Sequence, residues 1–68
     1  MNATEGLLEM MMHYGLPVLD QQGKRIVTKS GYEIEVEGAA LFKLIHMGEV
    51  IAPFDDMEEL CAFVQNYS

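Results

Sequence analysis

Apolar and polar residues change places at every step through "YEIEVEG" (32–38), which follows the short branched run "RIVT" (25–28), and this alternation restricts the fold of the 68-residue chain more than any other feature. A period of two is the signature of a β-strand with one face buried. A sheet wet on one side is antiparallel far more often than parallel, because parallel sheets are covered on both faces. The two runs are joined by Lys29, Ser30 and Gly31. With those three residues as the loop and Gly31 in the left-handed conformation, Ile26 faces Ile34, Arg25 faces Glu35 and Val27 faces Glu33. A two-residue Ser30-Gly31 loop would pair Ile26 with Glu35 and mix the faces, so apolar matching selects the longer loop.

The flanks of this hairpin carry helix punctuation. Over about 4–14, Thr4 is placed to act as N-cap and Glu5 to sit in the positive first turn, while Gly15 and then Pro17 close the segment. Glu5, Glu9 and His13 make a narrow polar stripe, and Leu7, Leu8, Met10, Met11, Met12 and Tyr14 cover most of the remainder. Over about 56–67, Met57, Leu60, Cys61, Val64 and Tyr67 follow at helical spacing with Phe63 beside them. Two acidic pairs, Asp55 with Glu58 and Asp56 with Glu59, both satisfy the spacing of a capping box.

Between these helices the chain reads as strands within 18–53. "VLDQQGKRIV" has a turn bracketed by Asp20 and Gly23. Residues 39–47 admit two readings. Ala39, Ala40 and Leu41 favour helix, whereas the early Gly48 and the extended "EVIAPF" favour a hairpin. In the hairpin, a Met47-Gly48 turn pairs Ile45 with Val50 and Leu44 with Ile51. Pro53 belongs at a strand end or on an edge, since it has no N–H to donate. The expected fold is therefore α+β in one domain over 1–68: an N-terminal helix, an antiparallel β-meander of about four strands, and a C-terminal helix packed on the sheet.

Composition narrows function by exclusion. Eleven acids against four Lys and Arg give a net charge of −7. Such a surface repels nucleic-acid phosphates and anionic lipid, so direct nucleic-acid or membrane binding is not expected. Glu9 breaks the apolar stretch from Leu7 to Met12, and no run approaches the roughly 18 residues of a membrane span. The single Cys61 leaves no internal disulfide, and the cytoplasm is the expected compartment. Cys61 sits on an apolar stripe as a small hydrophobe rather than a nucleophile, because no base and orienting group accompany it. His13, His46 and Cys61 lie on separate elements without paired spacing, so neither a metal nor a cofactor is expected.

What remains is interaction. The apolar arc of Leu7, Leu8, Met10, Met11, Met12 and Tyr14 is wider than one sheet face needs, and a second copy of the chain would cover the excess. These six residues form the candidate homodimer interface. On a strand, Glu33, Glu35 and Glu37 point the same way at intervals of about 6.8 Å. They form a candidate acidic face for a protein partner, although polar residues also alternate outward simply because apolar ones alternate inward. The expected function is a non-enzymatic interaction or regulatory protein. The alternative is an acidic inhibitor whose glutamates imitate the phosphates of DNA, with Arg25 and Lys29 expected on the same face to interrupt the row.

Overall fold

The computed structural model describes residues 3–67. Helix α1 (Ala3–His13) leads into five strands, β1 (Val18–Gln22), β2 (Arg25–Thr28), β3 (Tyr32–Gly38), β4 (Leu41–His46) and β5 (Glu49–Phe54), and helix α2 (Met57–Tyr67) closes the chain. The strands form one antiparallel meander in the order β1-β2-β3-β4-β5. The α+β plan holds, with five strands in place of about four. The turn expected within "VLDQQGKRIV" does separate two strands, and β1, whose five residues are all exposed, runs on through Asp20 to Gln22.

The central hairpin has the expected register: Arg25 opposes Glu35, Ile26 opposes Ile34 and Val27 opposes Glu33. Gly31 takes φ 95°, its N–H donates to the Thr28 carbonyl at 3.1 Å, and the Tyr32 N–H donates to Thr28 Oγ1 at 3.1 Å. Residues 41–46 are strand. The Met47-Gly48 turn has φ 54° and 82°, the two positive values that a right-twisted two-residue hairpin requires. Ile45 opposes Val50 as expected, but Leu44 opposes Ala52 rather than Ile51, because a bulge adds Ile51 to β5. A second bulge adds Leu19 to β1, and a third adds Glu37 to β3 between Val36 and Gly38. The β1–β2 turn is Gly23-Lys24, since Gln22 opposes Arg25, and Asp20 lies within the strand opposite Val27.

Thr4 is buried inside α1 rather than capping it. The other end of α1 closes as its sequence suggests. Gly15, at φ 68°, donates to the Met12 carbonyl and Leu16 donates to the Met11 carbonyl, the paired bonds of a Schellman motif. Of the two candidate caps on α2, Asp56 acts: its Oδ1 accepts from the Glu58 N–H at 2.8 Å and the Glu59 N–H at 3.4 Å.

An odd number of strands decides how the helices lie. Each antiparallel strand reverses the chain, so five of them deliver it to the end of the sheet opposite the one where α1 finished. Helix α2 then runs parallel to α1; four strands would have made the pair antiparallel. Two contacts fix this seam. A methyl group on Gly6 would stand 3.3 Å from Cε of Met57, and Gln65 Nε2 donates to the Tyr14 carbonyl at 2.9 Å. Both pairs are separated by the same sequence offset, so the helices are in register at both ends. Leu7 and Met11 of α1, Leu60, Cys61 and Val64 of α2, and Ile26, Ile34, Val36, Phe42 and Leu44 of the sheet form the buried core. Tyr32 ties the layers together, its hydroxyl donating to the Tyr67 carbonyl at 3.0 Å.

Two substitutions check these local assignments. Asp56→Ala removes the cap and is expected to cost about 1 kcal/mol, which lowers the melting temperature by about 4–8 °C in a domain of this size, while Asp55→Ala leaves it nearly unchanged. Met47 is an exposed non-glycine residue at positive φ, so Met47→Asn is expected to raise stability by about 0.5–1 kcal/mol in a denaturant titration.

Candidate functional site

The candidate interface on α1 divides sharply. Leu7 and Met11 are fully buried, and Leu8, Met10 and Tyr14 are half-buried against the same core. Only Met12 stands out, at 79% exposure. The second cover that the wide apolar arc demands comes from α2, packed in parallel beside α1, so the width of the arc does not itself call for another copy. Periodicity reports that a helix is covered on two sides without saying by what.

The glutamates of β3 do share the outer face of the sheet, but they are not a bare anionic row. Arg25 Nη2 donates to Glu35 Oε1 at 2.8 Å, and its Nε lies 3.5 Å from Glu33 Oε2. Lys43 Nζ lies 3.0 Å from Glu37 Oε1, and this hydrogen bond and charge pairing raise the Lys43 pKa above its ordinary value. The second cation on this face is thus Lys43 of β4; Lys29 lies in the β2–β3 loop. Once residues 41–46 are placed as a strand with Phe42 and Leu44 inward, alternation puts Lys43 outward, which is the signal that identifies it.

Net charge is instead concentrated in the helical layer. Glu5, Glu9, Asp55, Asp56, Glu58 and Glu59 are all exposed on or just before the helices, and no Lys or Arg accompanies them. The strands and their turns hold the other five acids and all four bases. The helical layer therefore carries −6 of the total −7, and the sheet −1. Parallel helices bring both positive N-terminal dipole ends to one end of the molecule, and five of the six acids (Glu5, Asp55, Asp56, Glu58 and Glu59) sit there.

An open groove of about 1,110 Å³ runs between the N-terminal half of α1, at Thr4 and Leu8, and the sheet at Gln21, Lys24 and Val36. Glu5 and Lys24 are the ionisable side chains that line it. Among the described residues, no three His, Cys, Asp or Glu side chains converge as metal ligands, and no helix is long and apolar enough to cross a membrane. His46 packs its ring on Tyr32 at 4.7 Å. The chain matches no known protein family, curated protein or solved structure.

Cys61 is fully buried, and burial pushes its thiol up from 9.0 to about 11. The neutral thiol is favoured in the folded state, so its contribution to stability is complete below the unfolded value and is lost as pH rises from about 9 through 11. At pH 8 a thiol reagent is expected to label Cys61 only as fast as the protein opens, with full labelling in denaturant. The alkaline loss of stability should be smaller in Cys61→Ala, as a urea titration at pH 8 and pH 10 will measure.

Proposed function

We propose that this chain is a non-enzymatic interaction or regulatory protein that forms a homodimer and binds a basic protein surface through its helical layer. The observation that carries the partner-binding part is the separation of charge. Six exposed acids without a Lys or Arg among them lie on one layer, while the acids of the sheet face are met by Arg25 and Lys43. A field of predominantly one sign steers an oppositely charged partner and acts mainly on the rate of encounter. The DNA-imitating inhibitor is the second reading. It rests on Glu33, Glu35 and Glu37, whose pairing with Arg25 and Lys43 makes their row a weaker copy of a phosphate backbone.

The test compares two triple variants as baits in a lysate of the native host, each at about 50 mM and about 500 mM salt, where the screening length falls severalfold. One carries Glu9→Gln, Glu58→Gln and Glu59→Gln; the other carries Glu33→Gln, Glu35→Gln and Glu37→Gln. The expected result is a basic protein held by wild type and by the sheet variant at low salt. With that partner purified, the helical variant should associate at least about tenfold more slowly. Retention of the same partner by the helical variant at the wild-type rate rejects the helical surface. Loss in the sheet variant alone, with competition by DNA, selects the inhibitor.

A further inference from the structure

The outer face of the sheet is covered by no described element, and its residues fall into cross-strand rows. One row runs Asp20, Val27, Glu33, Ile45 and Val50, one residue from each strand in turn. The next runs Gln22, Arg25, Glu35, Lys43 and Pro53. The bulges of the two edge strands lie at the ends of the first row, and each adds an exposed apolar residue, Leu19 on β1 and Ile51 on β5. Ile45 is the one buried apolar residue that does not belong to the core cluster, which places it on this face. The outcome is an apolar belt of Leu19, Val27, Ile45, Val50 and Ile51, interrupted by Glu33 and bordered by a row of mixed charge.

We infer that this face is where two copies of the chain associate, an inference that rests on the homodimer part of the function proposed above. Charge selects the occupant. Two helical layers brought together would oppose −6 with −6, whereas the sheet brings only −1 from each copy, because Arg25 and Lys43 neutralise its glutamates within the chain. Of the two layers, the sheet is thus the one that a second acidic copy can approach with little repulsion. Five strands at about 4.8 Å spacing and about five residues of length give a flat area on the order of 400 Å². That falls below the roughly 800 Å² per partner of a typical stable interface, so a reversible, concentration-dependent dimer is expected.

Leu19 and Val50 make the test, because they lie on opposite edge strands and are 64% and 56% exposed, so each tolerates a charge without disturbing the core. Sedimentation velocity is run from about 1 to about 500 µM, the range in which an interface of this size should dissociate. The variants are Leu19→Glu, Val50→Glu and, on the helical layer, Met12→Glu, each with its fold verified by circular dichroism. Wild type and Met12→Glu are expected to dimerise alike, while Leu19→Glu and Val50→Glu each weaken the dimer at least about tenfold. A wild type that stays at 7.7 kDa throughout overturns the dimer and its face together. A wild-type dimer that both sheet variants preserve overturns the face and leaves the dimer. Weakening by Val50→Glu alone means pairing along β5, and weakening by Met12→Glu alone means contact through α1; either result overturns the inference.

Discussion

An odd number of strands is the constraint on which the rest of this molecule depends. Had the meander four strands, the chain would return to the end of the sheet where α1 stops, and α2 would run back antiparallel to it. With five, α2 starts at the same end as α1 and lies alongside it in register, from Gly6 beside Met57 to Gln65 on the Tyr14 carbonyl. Gly6 weakens the first turn of α1 by about 1 kcal/mol relative to alanine, yet its missing side chain is what leaves room for Met57. Once seated, α2 flanks α1 on the side of Gly6 and Tyr14, while Leu7 and Met11 join the core with the sheet residues and Leu8 lines the open groove. A single 11-residue helix with three consecutive methionines is thereby accommodated inside one small chain.

Parallel helices have an electrostatic consequence that antiparallel ones avoid. Their dipoles repel side by side, and their positive ends add rather than cancel. Acids in the first turns and at the cap of α2 relieve this, with Asp56 also supplying two hydrogen bonds to backbone N–H groups that would otherwise be unpaired. The same acids repel one another, and that repulsion is tolerated because all six are exposed to water. The sheet solves the opposite problem, interleaving Arg25 and Lys43 with Glu33, Glu35 and Glu37 so that neighbouring strands attract across their outer face. The negative helical layer and the nearly neutral sheet are thus two answers to two different backbone geometries.

How far the fold can be read from sequence follows from what each element exposes. The β2–β3 hairpin is legible to the individual pair because both strands are buried on one face and Gly31 marks the loop. The cap of α2 is legible as a pair of candidates only, since Asp55 and Asp56 both stand three residues before a glutamate; backbone geometry, invisible in the sequence, selects Asp56. The run of β1 past Asp20 hides because an edge strand uncovered by a helix has no buried face to pattern. The bulge at Ile51 hides because apolar matching of Leu44 prefers Ile51 in sequence to Ala52, its partner in the sheet, and the bulge at Leu19 lies among exposed residues. The candidate site follows the same rule. That Glu33, Glu35 and Glu37 point one way was legible from alternation. That Lys43 meets them depended on resolving 39–47 as a turn and a strand.

The edges and the open face of the sheet pose distinct hazards, and the chain treats them differently. Unpaired N–H and C=O groups run along both β1 and β5, a template for indiscriminate pairing. Pro53 removes a donor from β5, Asp20 and Glu49 place charges on the two edge strands, and a bulge distorts each ladder. These devices all discourage extension of the sheet edge to edge. None of them covers the apolar belt, and the bulges enlarge it by turning out Leu19 and Ile51. With its edges blocked and an apolar row left across an almost neutral face, that face is the surface on which the proposed dimer would form. A face has one side to offer, whereas an edge regenerates itself with every strand added. Association there would therefore close as a pair rather than grow open-ended.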